Sequence, residues 1–407
     1  MSSQTASGHG VREETLRRLE RPLPAWLVPL LTLLALVGTA GFLILVRGAS
    51  HARAWRAFHV NWLYWTGLSQ AGILFAATQV ISKSRWSHSL RRIAEASAAF
   101  LPISFVLFLV LWLGRSHIFP WINAPVEEWP KSLWLRDWFA FGRVGVGLLF
   151  MYGLSFWFVR DSLRADVATG EELARIEARL ARLAPGLVVT YAVVMSIVAF
   201  DFIMSLAPHW LSNLLGAYFF MAAWLMGLMT LALTTIFWRR HLGLESLVTP
   251  KVLHDLGKLC FGFTVFWAYL FFSQFIVIWY GNMPEETSFM MLRIAAQPWR
   301  PIGILMVILV FVIPFWGLMG VVPKKTPAIL GTFAVISLVG LWLDRWVFVV
   351  PSIAQGATRA PLGWPELFVT AGFAGLWGLA HVWFAQRYPI VSPRLLTRIE
   401  EEGAGHH

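Results

Sequence analysis

The sequence has very little cysteine and very little charge. Its single cysteine, Cys260, cannot form a disulfide framework, an iron–sulfur cluster or a thiolate metal site, and a small apolar filler is its expected role. Asp, Glu, Lys and Arg together make up 14% of the 407 residues, against about 25% in a typical soluble domain. The composition therefore excludes an ordinary soluble protein.

Long apolar stretches make up most of the sequence. Hydrophobic residues make up 57% of the chain, and its mean hydropathy is +0.64. A stretch of about 20 apolar residues can cross a bilayer as a helix, because a helix satisfies its own backbone hydrogen bonds. The sequence predicts an all-α integral membrane protein with about ten such segments, near 26–46, 61–81, 94–114, 138–159, 184–206, 212–238, 254–280, 301–322, 327–350 and 366–386.

Basic residues are concentrated in the alternate loops between these segments. The net charge of +11 would suggest nucleic-acid binding in a soluble protein. Here 21 of the 33 lysines and arginines fall in the N-terminal tail, the even-numbered loops and the C-terminal tail, and 9 fall in the odd-numbered loops. The positive-inside rule therefore predicts that both termini are cytoplasmic, and no nucleic-acid partner is expected.

The fifth and ninth segments share a pattern of aspartate and proline. Six residues separate an aspartate from a closing proline in 201–208, DFIMSLAP, and in 344–351, DRWVFVVP. Pro185 and Pro327 begin the two segments, 16 and 17 residues before the aspartates. This pattern predicts that segments two to five repeat as segments six to nine, with the two four-helix bundles parallel in the membrane and segments one and ten peripheral.

The predicted organisation has six parts. They are a cytoplasmic N-terminal tail (1–25), a first span and loop (26–58), a first four-helix bundle (59–211), a second four-helix bundle (212–352), a tenth span (353–386) and a cytoplasmic C-terminal tail (387–407).

Four ionisable residues lie toward the periplasmic ends of predicted spans: Arg143, Asp201, Asp344 and Arg345. An ionisable group inside a span is costly and by default indicates function. We expect these residues to form a polar cluster that moves protons. Asp344 and Arg345 are adjacent, point about 100° apart and are not expected to face one partner. Alternatively, the arginines snorkel to the interface and the aspartates only cap or pair.

The seventh segment carries a second set of proton-path candidates. His254, Lys258 and Tyr269 are spaced by 4 and 11 residues, so they share one helix face and predict a polar stripe that enters from the cytoplasm. The alternative is that His254 is the hydrated start of the helix and that Lys258 snorkels.

Histidines are expected to contribute little else. His381, toward the cytoplasmic end of the tenth segment, is a further proton-path candidate, and a hydrogen-bonded packing role is the simpler interpretation. The other histidines lie in loops, tails or at span starts. The sequence therefore predicts no pair of haem ligands and no haem.

Two acidic residues follow a proline in the loop YGNMPEETSF (280–289). Glu285 and Glu286 after Pro284 are typical of a helix start, where carboxylates meet the positive end of the helix dipole. An exit for protons or a docking surface is the alternative interpretation.

Three stretches indicate a family. The segments 201–220, DFIMSLAPHWLSNLLGAYFF, and 279–293, WYGNMPEETSFMMLR, resemble the ActF-type membrane subunit of bacterial alternative complex III, within the NrfD/polysulfide-reductase-like family. The segment 341–352, LWLDRWVFVVPS, fits the same pattern. The resemblance covers nearly the whole chain.

The resemblance implies a multi-pass subunit of the bacterial inner membrane, in a complex that oxidises quinol and passes electrons toward a cytochrome c, a high-potential iron–sulfur protein or an oxidase. The implied partners are a homologous NrfD-type quinol-binding membrane subunit, an iron–sulfur subunit, multihaem cytochrome c subunits, small membrane subunits and lipids. Haem c and iron–sulfur clusters would belong to those partners. The quinol would be a menaquinol, and this chain itself would bind no cofactor.

For this chain, the resemblance implies proton movement and structural support rather than catalysis. It carries over Asp201, His209 and Asp344 as candidates and leaves quinone contact open.

Two other functions fit the sequence. A secondary transporter fits ten spans, a repeat and buried acids, but it would need broken helices at matching positions in the two halves. Pro102 in segment three and Pro314 in segment eight do not match under the four-helix offset. A pure scaffold would use its buried charges only to pair with one another.

Overall fold

The computed structural model of the protein describes residues 22–84, 86–392 and 394. The expected N-terminal tail, apart from its last four residues, and the end of the C-terminal tail lie outside them. The described chain is helical and contains no strand. Its α-helices are α1 Leu27–Arg47, α2 His51–Ile81, α3 His88–Glu95, α4 Leu101–Leu113, α5 Pro120–Asn123, α6 Lys131–Trp134, α7 Asp137–Ala165, α8 Gly170–Phe202, α9 Leu214–Leu242, α10 Pro250–Gly281, α11 Pro284–Ile294, α12 Arg300–Val307, α13 Ile313–Leu318, α14 Val321–Lys325, α15 Pro327–Ile353 and α16 Trp364–Arg387.

Nine helical segments of the described chain are long and apolar enough to cross a membrane. They are Leu27–Arg47, His88–Leu113, Asp137–Ala165, Gly170–Leu206, Leu214–Leu242, Pro250–Gly281, Arg300–Leu318, Pro327–Ile353 and Trp364–Arg387. The remaining predicted segment, the second (61–81), corresponds to α2, which has 31 residues but carries buried polar side chains such as Asn61 and Gln70. Because α2 is packed among other helices, its composition is that of an interior helix rather than a bilayer-facing one.

The prediction that Pro185 begins a helix is wrong. α8 begins at Gly170, and Pro185 lies inside it. The residues before Pro185 are an amphipathic part of the helix, and their apolar side chains Ile176 and Leu180 are buried. Packing of this face extends the helix beyond the apolar stretch. Pro351 likewise lies inside α15, two residues before its last residue, Ile353, rather than beyond it.

Four helices, α2, α8, α9 and α15, form the centre of the molecule. α2 and α9 run parallel, because Gly67 lies against Ala223 and Ala71 lies against Gly227. A Cβ atom built at Gly227 would lie 2.5 Å from the Cβ atom of Ala71. Glycine at this position therefore sets the distance between the two helices.

α1 and α16, the first and last helices, form an antiparallel pair beside the other helices. α1 packs mainly on α16 and is otherwise largely exposed. Gly38 and Gly372 permit this contact, since a Cβ atom at Gly38 would lie 2.2 Å from the Cα atom of Gly372. α16 also packs on α2, which connects the pair to the central helices.

Two of the spanning segments contain irregular backbone before a proline. A 3₁₀ turn, Ala96–Phe100, precedes Pro102 in the third segment, and a π-helical turn, Ile308–Val312, precedes Pro314 in the eighth. Proline has no N–H to donate, so the turn before it departs from the regular α-helical hydrogen-bond pattern. The two irregular turns lie in helices that are not equivalent under the predicted repeat.

Candidate functional site

Asp201, near the end of α8, is fully buried and is bound by two side chains. Arg143 of α7 donates from Nε to Oδ2 at 3.0 Å and from Nη2 to Oδ1 at 2.8 Å. Trp134 donates its indole N–H to Oδ1 at 2.9 Å, and its ring lies 3.6 Å from the guanidinium carbon of Arg143. The charge of Asp201 is therefore compensated by a bidentate ion pair with an additional hydrogen bond.

Asp344 and Arg345 of α15 form a second buried site. The Tyr218 hydroxyl donates to Oδ1 of Asp344, and Arg345 donates to Oδ2 of Asp344 at 3.3 Å and to the Phe219 carbonyl at 2.9 Å. The expectation that the adjacent residues cannot face one partner is wrong. The long arginine side chain turns back, so both residues contact neighbouring positions on α9.

The predicted cluster of four charged residues is resolved into two separate pairs. Within residues 22–84 and 86–392, no hydrogen bond or ion pair connects Arg143 and Asp201 with Asp344 and Arg345. Each aspartate has its own arginine. Charge compensation is therefore local to each site.

A further group of buried charges lies where α3, α7 and the start of α8 meet. Glu95 is fully buried; it accepts hydrogen bonds from Ser162 at 2.7 Å and from Arg92 at 2.7 Å. Arg92 also donates to Asp166 at 2.6 Å. This network was not predicted, because Arg92, Ser162 and Asp166 lie outside the predicted segments and Glu95 is at the very start of the third, 94–114.

Polar side chains continue from this network along α2, α4 and α7. Gln70 donates to the Ser155 hydroxyl at 2.8 Å. One turn away on α2 lies Thr66, and the Ser104 hydroxyl lies 2.6 Å from the hydroxyl of Thr66 and 3.0 Å from that of Tyr152. All five side chains are buried inside the first predicted bundle.

His59 occupies the other end of this series. Its side chain is fully buried, and Nε2 lies 2.8 Å from the Phe202 carbonyl, next to Asp201 in the chain. Sequence analysis placed this histidine outside the spans because it started the second segment at residue 61, whereas α2 begins at His51.

We call this series the polar file. Its members, from one end to the other, are Asp166, Arg92, Glu95, Ser162, Gln70, Ser155, Thr66, Ser104, Tyr152, His59, Asp201 and Arg143. The sequence does contain a signal for it, since His59, Thr66 and Gln70 follow at intervals of 7 and 4 residues and share one face of α2.

The predicted stripe on α10 lies on the outer surface of the chain. Lys258 is 57% exposed and pairs with Asp255 at 2.6 Å, while Tyr269 is 60% exposed. His254 is half-buried. This chain alone does not enclose a path along the three residues.

The two remaining histidine candidates have different environments. His381 is buried, accepts a hydrogen bond from the Trp238 indole at 3.2 Å and stacks on Trp377. This environment agrees with the packing interpretation. His209 is exposed in the segment that follows α8.

The acidic pair in the 280–289 loop lies at a helix start, as expected. α11 begins at Pro284, and Glu285 and Glu286 lie in its first turn. The helix-start interpretation is therefore confirmed.

Arg293, at the other end of α11, is a buried charge that sequence analysis missed. Its guanidinium donates to the Phe348 carbonyl at 2.9 Å and to the Ser352 hydroxyl at 2.6 Å, and it lies 3.3 Å from the centre of the Phe289 ring. Within the described chain it forms no ion pair with a carboxylate, and burial lowers its pKa well below the usual value. Arg293 connects α11 to α15.

No group of three or more His, Cys, Asp or Glu side chains in the described residues is arranged to hold a metal ion. Comparison with models of known protein families gives no match, and comparison with the sequences of characterised proteins gives none either. The site must therefore be interpreted from its own chemistry.

Proposed function

We propose that this chain is a membrane subunit of a quinol-oxidising respiratory complex of the alternative complex III type, and that it conducts protons along the polar file. The polar file is the observation that carries the proposal. It combines carboxylates, a histidine and hydroxyl groups in the interior of a membrane protein, where such groups are costly and by default functional.

The chemistry of the polar file suits stepwise proton transfer. Glu95 and Asp201 can exchange protons at the two ends, and hydroxyl groups such as those of Thr66 and Tyr152 can both donate and accept. Two intervals, Ser155 to Ser162 and His59 to Thr66, each span seven helical residues, about 10 Å. Ordered water is expected to bridge them, because buried water binds otherwise unpaired polar groups. Gln70 Oε1 and His59 Nδ1 are two such groups.

The repeat is part of this proposal. Two features support it. α2 and α9 meet in parallel register at positions separated by 156 residues, at Gly67 with Ala223 and at Ala71 with Gly227. Each of the two helices also contacts a helix of the other predicted bundle. The Tyr64 hydroxyl of α2 donates to the Leu338 carbonyl of α15, and the Tyr191 hydroxyl of α8 donates to the Phe220 carbonyl of α9.

The same register makes the two halves chemically different. Under an offset of 156 residues, His59, Thr66 and Gln70 correspond to Leu215, Ala222 and Met226. The second half therefore lacks the polar residues of α2. We assign proton conduction to the first bundle and structural support, with any quinone contact, to the second.

The distribution of basic residues supports an orientation with both termini in the cytoplasm. Glu95 and Asp166 then lie at the cytoplasmic end of the polar file, and Asp201 and Arg143 lie at its periplasmic end. The haems and iron–sulfur clusters that carry electrons would belong to partner subunits.

The test begins with purification of the complex through a tag on this chain. A haem spectrum and identification of the co-purifying subunits show whether a multihaem cytochrome and an iron–sulfur subunit are present. Proton uptake and release are then measured per quinol oxidised in sealed vesicles. Glu95→Gln is expected to slow proton movement by about tenfold or more, since it removes an acid–base group.

Asp161→Asn is the matched control. Asp161 is a buried carboxylate on α7 that pairs with Arg179 and lies outside the polar file. Asp161→Asn should leave proton movement unchanged. Glu95→Asp, which keeps a carboxylate, should retain part of the wild-type proton movement. A colourless chain that purifies alone would contradict the respiratory assignment. Normal proton movement in Glu95→Gln would favour a scaffold.

A further inference from the structure

Tyr269 presents a phenol to the bilayer side of α10. The side chain is 60% exposed, and α10 runs from Pro250 to Gly281. At 1.5 Å per residue, Tyr269 lies about 28 Å from one end of the helix and about 18 Å from the other. Its hydroxyl is therefore deep in the hydrocarbon, where an unpaired hydroxyl is unfavourable.

Four tyrosines well inside other long helices, Tyr64, Tyr152, Tyr191 and Tyr218, form a hydrogen bond to a neighbouring helix, whereas Tyr280 lies at the end of α10. The acceptors are the Leu338 carbonyl for Tyr64 at 3.2 Å, the Phe220 carbonyl for Tyr191 at 2.7 Å and the Asp344 carboxylate for Tyr218, and the Tyr152 hydroxyl lies 3.0 Å from the Ser104 hydroxyl. A threonine on an outer face can satisfy itself, as Thr332 does by donating to the Ala328 carbonyl of its own helix. The phenol of Tyr269 is too long to do so.

The described residues give Tyr269 a ring contact with Phe266 and no hydrogen-bond acceptor. Its acceptor therefore has to come from outside this chain.

The surrounding surface is suited to a helix. Lys258, Gly262, Phe266, Tyr269 and Phe272 recur at intervals of 4, 4, 3 and 3 residues, and we call them the α10 outer face. A Cβ atom built at Gly262 meets no atom of this chain within 4 Å, so the backbone is bare at that point. Small residues of this kind allow two transmembrane helices to approach closely.

We propose that the α10 outer face binds a transmembrane helix of a different polypeptide. That helix supplies an acceptor for the Tyr269 hydroxyl, whereas Lys258 already pairs with Asp255 of its own helix at 2.6 Å. A second copy of this chain does not fit as well. A twofold axis along the membrane normal would set two identical phenols against each other, and because only one of them can donate to the other, one O–H would still have no acceptor. This inference does not depend on the proposed function.

Site-specific photo-crosslinking in native membranes tests the surface directly. The probe is Tyr269→benzoylphenylalanine, and the control is Phe150→benzoylphenylalanine, because Phe150 of α7 is equally exposed at 60%. The expected result is one crosslinked product at position 269, in which sequencing of the joined peptides identifies an apolar segment of another polypeptide, and no such product at position 150. Crosslinks to lipid alone would overturn the proposal, and crosslinks to a second copy would overturn the choice of partner.

The polypeptide identified in this way is then followed in variants of the full complex. Tyr269→Phe removes only the hydroxyl and is expected to reduce retention of the partner during detergent purification about three- to tenfold. Gly262→Leu should reduce it further, because the side chain occupies the contact. Gly153→Leu on α7 is the matched control, since a Cβ atom there also meets nothing within 4 Å. Unchanged retention in both α10 variants would overturn the proposal.

Discussion

Arg143 binds Asp201 through both carboxylate oxygens, across the contact between α7 and α8. The aspartate is fully buried and the arginine is nearly so, with 14% of its side chain exposed. Charged partners in this bidentate geometry form strong, directional hydrogen bonds. The pair therefore fixes the relative position of the two helices near one end of the polar file.

Removing one partner of this pair should be strongly destabilising. We expect Asp201→Asn to lower the free energy of unfolding by about 3 kcal/mol, because it leaves the Arg143 charge poorly compensated. Asp201→Asn combined with Arg143→Gln should recover part of the loss. Denaturant titration of the purified protein measures both. Asp137→Asn, in the more exposed pair with Arg115, is the control and should cost no more than about 1 kcal/mol.

The Tyr218 hydroxyl should contribute more to stability than a neutral tyrosine contact. Tyr218→Phe removes a hydrogen bond to a buried carboxylate, and we expect a loss of about 2 kcal/mol in unfolding free energy. Tyr191→Phe, which removes a bond to the Phe220 carbonyl, should cost about 1 kcal/mol. Equal losses in the two variants would show that Asp344 is not charged beside Tyr218.

The contact between α2 and α9 should not tolerate a single added methyl group. Gly227→Ala would place its Cβ 2.5 Å from that of Ala71, so the helices must separate. We expect a loss of about 1–3 kcal/mol in unfolding free energy, as for other overpacked interiors. Gly153→Ala has open space and should be neutral or slightly stabilising. A melting temperature for each variant distinguishes the two outcomes.

Gln70→Met should separate function from stability. Methionine has a side chain of similar length, and under the proposed repeat Met226 is the counterpart of Gln70. The protein should lose no more than about 1 kcal/mol in unfolding free energy, because the change removes the bond to Ser155 while the Ser155 hydroxyl keeps its bond to the Met151 carbonyl. Proton movement should nevertheless fall about tenfold, since the polar file is interrupted. Met226→Gln is the reverse control, and unchanged proton movement in Gln70→Met would exclude this route.

Sequence patterns identified the helices far better than the site. Hydropathy alone predicts segments close to nine of the observed spans, because length and apolar composition fix what can cross a bilayer. It placed the start of α8 fifteen residues late, since an amphipathic extension carries charges that a hydropathy window treats as a loop.

The buried charges were found only where they interrupt an apolar run. Asp201 and Asp344 stand out in such runs, whereas Glu95 and His59 lie in mixed segments whose burial depends on distant helices. The outward direction of Lys258 and Tyr269 was also not predictable. Periodicity shows that residues share a face, and only packing decides which face is inside.

The close contact between α2 and α9 has a mechanical consequence. Gly227 lies against Ala71 with no space for an additional atom, and Tyr64 of α2 and Tyr191 of α8 donate to backbone carbonyls of α15 and α9. A tilt of α2 against α9 would break these bonds and force the two backbones into each other. Under the proposed function, protons would therefore pass between fixed groups rather than through a movement of these helices.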